Sequence, residues 1–141
     1  MAKFYIATSL SRANHHNYVR DLLVQQGHEL TYDWSVHGSV KTTTIDKLNQ
    51  VAHKELEGVL AADFVLILLP GGHGTHFELG AALAAGKNVI LHSQDAYYFE
   101  PCEKTCAFYH HSDVSRIVCS LNDLKHYLDV LDLHTNPHFT H

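Results

Sequence analysis

The stretch Leu69-Pro70-Gly71-Gly72-His73-Gly74-Thr75-His76-Phe77-Glu78-Leu79-Gly80 decides how this chain folds. It follows an uninterrupted apolar run, Phe64 to Leu69, and leads into an Ala-rich segment, Ala81 to Ala85, stopped by Gly86. That pattern is a buried strand, a glycine loop and a buried helix. Glycine lets the backbone approach a ligand closely. A helix N-terminus offers unpaired N–H groups and a positive dipole end to an anionic or hydroxyl-rich group. One carboxylate, Glu78, is expected in the first helical turn, where the dipole helps to keep it ionised. Two readings of Glu78 stay open. Thr75-x-x-Glu78 fits a capping box, with Thr75 as the cap and Glu78 reaching back to the Thr75 N–H. The other reading makes Glu78 the functional carboxylate. The loop is richer in glycine than a tight turn needs, and it lies at the carboxyl end of an expected parallel strand, where open α/β sheets bind ligands.

The flanking chain extends this pattern. Phe4 to Thr8 reads as a first strand, followed by a polar turn from Ser9 to Arg12. Asn14 to Gln26 carries Val19, Leu22 and Leu23 at helical spacing and ends at Gly27. Glu29 to Tyr32 is a short second strand, and Asp33-Trp34-Ser35 opens a polar connector. Ile45 to Leu60 is an amphipathic helix whose stripe is Ile45, Leu48, Ala52, Leu56, Val59 and Leu60, with Glu55 at its edge. A boundary carboxylate of that kind is commonly a snorkelled or paired residue. Lys87 to His92 is a fourth strand, and Ser115 to Cys119 a fifth. Residues 93–115 form a long aromatic segment, the kind that serves as a lid, binding loop or interface. Leu121 to Leu133 closes the chain as a helix, capped by Asn122 or Ser120, with Leu124, Leu128 and Leu131 facing inward. The tail from His134 reads as loose. Alternating strands and helices imply a five-stranded parallel sheet with helices on both faces, a three-layer α/β sandwich. The ligand then sits above the ends of strands one and three, where Tyr5 to Ser9 face the 70–78 loop.

The totals bound the function. The chain has 141 residues, 45% apolar and 18% charged, an ordinary globular composition for a single domain over 1–141. Ten basic against fifteen acidic residues give a net charge of −5, which argues against a nucleic acid polymer as partner. No apolar run approaches the ~20 residues of a membrane span. Cys102, Cys106 and Cys119 are an odd set, and Met1-Ala2-Lys3 runs straight into a strand with no visible leader, so a reducing cytoplasmic location is expected.

Several segments resemble the nucleoside 2-deoxyribosyltransferase family, which includes related nucleotide N-glycosidases. They are Phe4-Tyr5-Ile6-Ala7, Glu55-Leu56-Glu57-Gly58-Val59, Ala62-Asp63 and, most specifically, Gly71 through Gly80 with its Glu78-Leu79-Gly80 ending. The resemblance covers roughly residues 3 to 92. It implies a flavodoxin-like, Rossmann-like sheet, no cofactor and no metal. It implies a glutamate nucleophile at Glu78, an acidic helper for the base at Glu55 where several members have Asp, and an aromatic hydroxyl at Tyr5. Asp63 matches an acidic residue common before the central strand, and Asp33-Trp34 is similar to a segment near the base pocket. Ser9, Gly72, His73, Gly74, Thr75 and His76 complete the expected substrate contacts. His73 stands where many relatives have Arg, and the loop lacks the acidic residue of some transferases. Members are usually homo-oligomers in which a neighbour completes the pocket, and the 93–115 segment is the candidate donor.

The chemistry fits the residues. A carboxylate can attack a sugar C1′ and hold it as a glycosyl ester until a second base, or water, enters the same face. The implied partners are a nucleoside or nucleotide and a free nucleobase. Transfer of a 2-deoxyribosyl group is the first reading and hydrolysis of a nucleoside or its 5′-monophosphate the second. Pro70 to Glu78 also resembles the loop of the cytokinin-activating phosphoribohydrolases, but the chain length and the Glu-Leu-Gly ending favour the deoxyribosyltransferases. A non-catalytic nucleotide sensor on the same scaffold is a third reading. A zinc site from His73 and His76, or from Cys102, Cys106, His110 and His111, is a further rival, although such pairs arise by chance among fourteen histidines.

Overall fold

A computed structural model describes residues 1–130 of the chain. Five strands, β1 (Lys3–Ala7), β2 (Glu29–Leu30), β3 (Phe64–Leu68), β4 (Asn88–Ser93) and β5 (Val114–Val118), form one parallel sheet in the order β2-β1-β3-β4-β5. Four helices, α1 (Ala13–Gln25), α2 (Ile45–Ala61), α3 (His73–Ala84) and α4 (Leu124–Val130), connect and cover them. Single 3-10 turns at Leu10–Arg12, Trp34–Val36, Ala96–Phe99, Ala107–His110 and Leu121–Asp123 occupy the connections. Among the described residues, no helix is long and apolar enough to cross a membrane. The inward Leu131 expected on the closing helix, and the tail from His134, lie outside the described residues.

Strand alternation sorts the core into two layers. Phe4, Ile6, Phe64, Leu66 and Ile90 point to one face, against Val19 and Leu23 of α1 and Leu124 and Leu128 of α4. Tyr5, Ala7, Val65, Ile67 and Leu91 point to the other, against Val59 of α2 and Leu79 and Ala82 of α3. Every residue of β3 is buried, as a strand covered on both faces requires. Gly27 ends the turn after α1 at φ 91°, a left-handed conformation that glycine adopts without strain. The closing helix is entered through the Leu121–Asp123 turn, whose cap is Ser120, its side chain accepting the Asp123 N–H.

The inward face of α2 differs from the expected stripe. Val51, Gly58 and Val59 are buried and Glu55 is half-buried, whereas Ile45 is 84% exposed, Leu48 38% and Leu60 48%. The face that meets the sheet runs through positions 51, 55, 58 and 59, so Glu55 stands within it rather than at its edge. Hydrophobicity alone misplaced the face because α2 leaves its own N-terminal apolar residues uncovered in this chain.

The connection after β1 leads to β2 on one side of it, and the chain then crosses to β3 on the other. The strand order therefore reverses between β1 and β3, which opens a crevice at their carboxyl ends. The Thr8 hydroxyl donates to the Leu68 carbonyl across that point at 2.7 Å.

Candidate active site

The helix after the glycine loop begins three residues earlier than the capping-box spacing suggested. α3 starts at His73 with Gly72 as N-cap, and Thr75 lies inside the first turn, where its Oγ1 accepts the Gly72 N–H at 3.1 Å. Thr75 is therefore not the cap, and Glu78 does not fold back onto it. A Cβ at Gly71 would meet Thr75 Cγ2 at 2.4 Å, so this threonine is what requires glycine there. The Gly72 N–H is taken by Thr75, and the Gly72 carbonyl accepts from His76 Nδ1 at 2.7 Å. The amides left to a ligand are those of His73 and Gly74, which begin the helix without intrahelical acceptors.

Glu78 is buried in the second turn of α3, and no acidic residue stands in the first. The dipole effect fades beyond the first turn, so the expected help toward ionisation does not govern this site. Burial pushes the Glu78 carboxyl up to about 8. The Tyr5 hydrogen bond pulls the other way, and the charge of Glu55 adds to the rise. The Tyr5 hydroxyl donates to Glu78 Oε2. Burial first, and then the Glu78 charge, hold that phenol far above its ordinary value, so it remains a donor. Glu55 is also raised, by burial, with His37 opposing.

Glu78 and Glu55 border one cavity of about 480 Å³, within the usual range for small-molecule sites. Gly72, His73, Gly74, Thr75 and Glu78 supply one side of it. Thr8 and Ser9, beyond the end of β1, supply another, and Trp34 and Glu55 a third. The Trp34 indole N–H donates to the Ile6 carbonyl at 2.8 Å, which fixes the ring against the end of β1. Tyr5 acts from behind Glu78 and is not part of the lining.

Three expected contacts are placed elsewhere. Asp33 accepts from Arg20 at 2.8 Å and from the Ser35 N–H at 2.9 Å, so its carboxylate holds the connector to α1 and lies outside the cavity lining. Asp63 accepts the Lys3 N–H at 2.8 Å at the amino end of the sheet, away from the crevice. His76 accepts from the Tyr109 hydroxyl through Nε2 at 2.6 Å while Nδ1 donates to Gly72, so it ties the 93–115 segment to the glycine loop. Within that segment Tyr109 is buried and Phe99 lies edge-on to it. His37, Val40, Lys41 and Val51 line the cavity without having been singled out from sequence. The available signal was position: residues 33–44 follow β2 at the same end of the sheet. Among the described residues, no three His, Cys, Asp or Glu side chains gather as a metal site requires.

A family model described as nucleoside 2-deoxyribosyltransferase matches residues 4–130. The chain belongs to the nucleoside 2-deoxyribosyltransferase family. Membership makes it a nucleoside deoxyribosyltransferase or a closely related N-glycosidase. No curated protein matches the chain. Among solved structures, the CMP N-glycosidase BcmB of Clostridium botulinum superposes with a TM-score of 0.63 at 18% identity, covering 91% of this chain and 99% of that one. The 2-deoxyribosyltransferase of Bacillus psychrosaccharolyticus gives 0.65 at 21% identity, over 89% and 92%. The 2-deoxyribosyltransferase of Leishmania mexicana gives 0.61 at 18%, over 91% and 97%. At these identities the deoxyribosyltransferase fold is what the structures share with this chain.

Proposed function

We propose that this enzyme transfers a 2-deoxyribosyl group between nucleobases through a covalent glycosyl-Glu78 intermediate, with retention of configuration. The observation that carries the reading is the buried Glu78 carboxyl, bonded by Tyr5 and opening on a cavity of nucleoside size. In the first step a Glu78 oxygen bonds to C1′ as the C1′–N bond breaks, and the departing base takes a proton from Glu55, directly or through water. In the second step an incoming base nitrogen bonds to C1′, the ester C–O bond breaks, and the proton of the incoming base returns to Glu55. Tyr5 holds Glu78 in line and steadies its charge. Ser9, Thr75 and the His73 and Gly74 amides receive the 5′ end of the sugar, and Trp34 and Glu55 receive the base.

Hydrolysis is the second reading. His73, Gly74 and Ser39 on the rim are exposed, so water reaches the same intermediate. The fold is also shared with an enzyme described as a CMP N-glycosidase. The expected homo-oligomer stays part of the proposal, supported by exposed apolar residues on α2 and α3, Ile45 at 84% and Phe77 at 64%. The unpaired state of all three cysteines supports the cytoplasmic location.

Incubation with 2′-deoxynucleosides, with and without a second free base, tests the proposal. An exchanged nucleoside is the expected product. Free sugar alone selects hydrolysis, and the absence of both products from nucleosides and 5′-monophosphates overturns both readings.

A further inference from the structure

The aromatic segment after β4 reaches the glycine loop through one histidine that the reaction above does not use. Both ring nitrogens of His76 are engaged. Nδ1 lies 2.7 Å from the Gly72 carbonyl oxygen, and Nε2 lies 2.6 Å from the Tyr109 hydroxyl. A carbonyl only accepts, so Nδ1 carries the hydrogen. Nε2 is then the acceptor of the neutral ring, and the Tyr109 hydroxyl donates to it. Tyr109 is itself held in place. It is buried, the Phe99 ring stands edge-on to it, and its carbonyl accepts from Arg116 Nη1 on β5 at 2.9 Å. A line of contacts thus runs from β5 through Tyr109 and His76 to Gly72.

What this line holds is a peptide plane. The Gly72 carbonyl and the His73 N–H belong to one trans peptide unit, so they point in opposite directions. The carbonyl points into the first turn of α3, where it also accepts the His76 N–H at 3.3 Å. The His73 N–H therefore points out of the helix, on the stretch Gly72 to Gly74 that lines the cavity with Glu78. The main-chain bond to this carbonyl is long for its kind. A Cβ on Gly72 would meet nothing within 4 Å, so packing does not hold the plane either. The shorter bond is the one from His76 Nδ1.

Resting on the nucleoside reading above, we propose that His76 is a positioning residue: held by Tyr109, it aims the His73 N–H at the 5′-hydroxyl oxygen of the sugar. His76 stays outside the cavity lining and touches no substrate itself. The aromatic segment acts through it as a buttress of the glycine loop. A pre-aimed donor loses no freedom when the substrate arrives, so the bond it makes keeps more of its worth. A substrate without the 5′ oxygen has nothing for that amide to meet, and its binding is indifferent to how the plane is held.

The test compares 2′-deoxyadenosine with 2′,5′-dideoxyadenosine as a ratio of kcat/KM. The wild type is expected to favour the hydroxylated substrate by about 10-fold, the worth of one good hydrogen bond. His76→Leu should bring the ratio close to one by slowing the hydroxylated substrate alone. His76→Asn, whose amide NH2 can replace Nδ1 at the Gly72 carbonyl, should restore most of it. Tyr109→Phe leaves Nε2 without its donor and should give an intermediate ratio, which carries the test if the Leu variant fails to fold. A wild-type ratio of one, a ratio unmoved by His76→Leu or by Tyr109→Phe, or a loss that His76→Asn does not restore overturns the proposal and leaves the nucleoside reading intact. Calorimetric titration of Glu78→Gln with the same two nucleosides repeats the comparison without turnover. A preference in binding that depends on His76, with no glycosyl transfer by the wild type, would defeat the enzymatic reading and keep the His76 assignment. Binding of neither nucleoside would defeat both.

Discussion

The Tyr5 hydroxyl donates its hydrogen to Glu78 Oε2 across 73 residues of sequence. Both side chains are buried, one on β1 and one on α3. The bond ties β1 to α3, and it meets a carboxyl that burial has pushed up to about 8. Desolvation removes the water that would otherwise stabilise the charge of this carboxyl, so that once ionised it has the reactivity the proposed reaction needs.

Glu78→Gln keeps the shape of the side chain and removes the proposed nucleophile. Turnover should fall by about 10³-fold or more, while nucleoside binding measured by calorimetry is retained. Loss of binding together with turnover would mean that Glu78 holds the substrate rather than attacking it.

The ionisation of Glu78 should appear as a limb of kcat/KM that rises with pH and is centred near 8. Tyr5→Phe removes the one contact that lowers this value, so the limb should move to higher pH. Glu55→Gln removes a negative charge that raises it, so the limb should move lower. Shifts in the same direction would show that the two groups do not act on Glu78 as described.

Stability should carry the same signature. The folded carboxyl is raised from 4.5 to about 8. Below the lower value both folded and unfolded chains are protonated. Between the two, the unfolded chain loses its proton and the folded chain keeps it, so this contribution falls as pH rises and levels off above the higher value. The slope is at most about 1.4 kcal/mol per pH unit. His16 and His92, lowered by burial, act with the opposite sign as pH rises toward their ordinary value of 6.5. Urea melts of wild type and Glu78→Gln at pH 5 and 8 cancel those histidines. The variant should gain relative stability at pH 8, and an unchanged difference between the two pH values would refute the burial account.

Gly58 on α2 supports Tyr5 from behind. A Cβ there would lie 2.8 Å from Tyr32 Cβ and 3.0 Å from Tyr5 Cδ2. Gly58→Ala should cost about 1–3 kcal/mol by overpacking and displace the phenol from Glu78, lowering kcat more than it raises KM. A variant that melts earlier but turns over normally would show that the Tyr5 position tolerates the shift.

Much of this was legible in the chain itself. The buried run Phe64 to Leu69, the glycine loop and Glu78-Leu79-Gly80 announced a strand, a turn and a helix, because apolar period and glycine content are local properties. The same rule that placed the ligand at strand ends brought Ser9, Glu55 and Glu78 to one cavity. Asp33 and His76 bond to Arg20 and Tyr109 and lie outside the cavity lining, which their local sequence does not reveal because a polar residue near a site looks alike whether it meets a ligand or another side chain. His37 went unnoticed in a chain with fourteen histidines, since nothing local distinguishes one that comes to line the cavity.

The sequence by itself determined the order of strands and helices, the two-faced burial of β3 and the identity of the candidate nucleophile. Only the tertiary structure decided which residue caps α3, which face of α2 meets the sheet and which hydroxyl meets Glu78. Period and propensity are carried by neighbours a few residues apart, whereas a desolvated carboxyl and its donor become neighbours only once β1, α2 and α3 have packed.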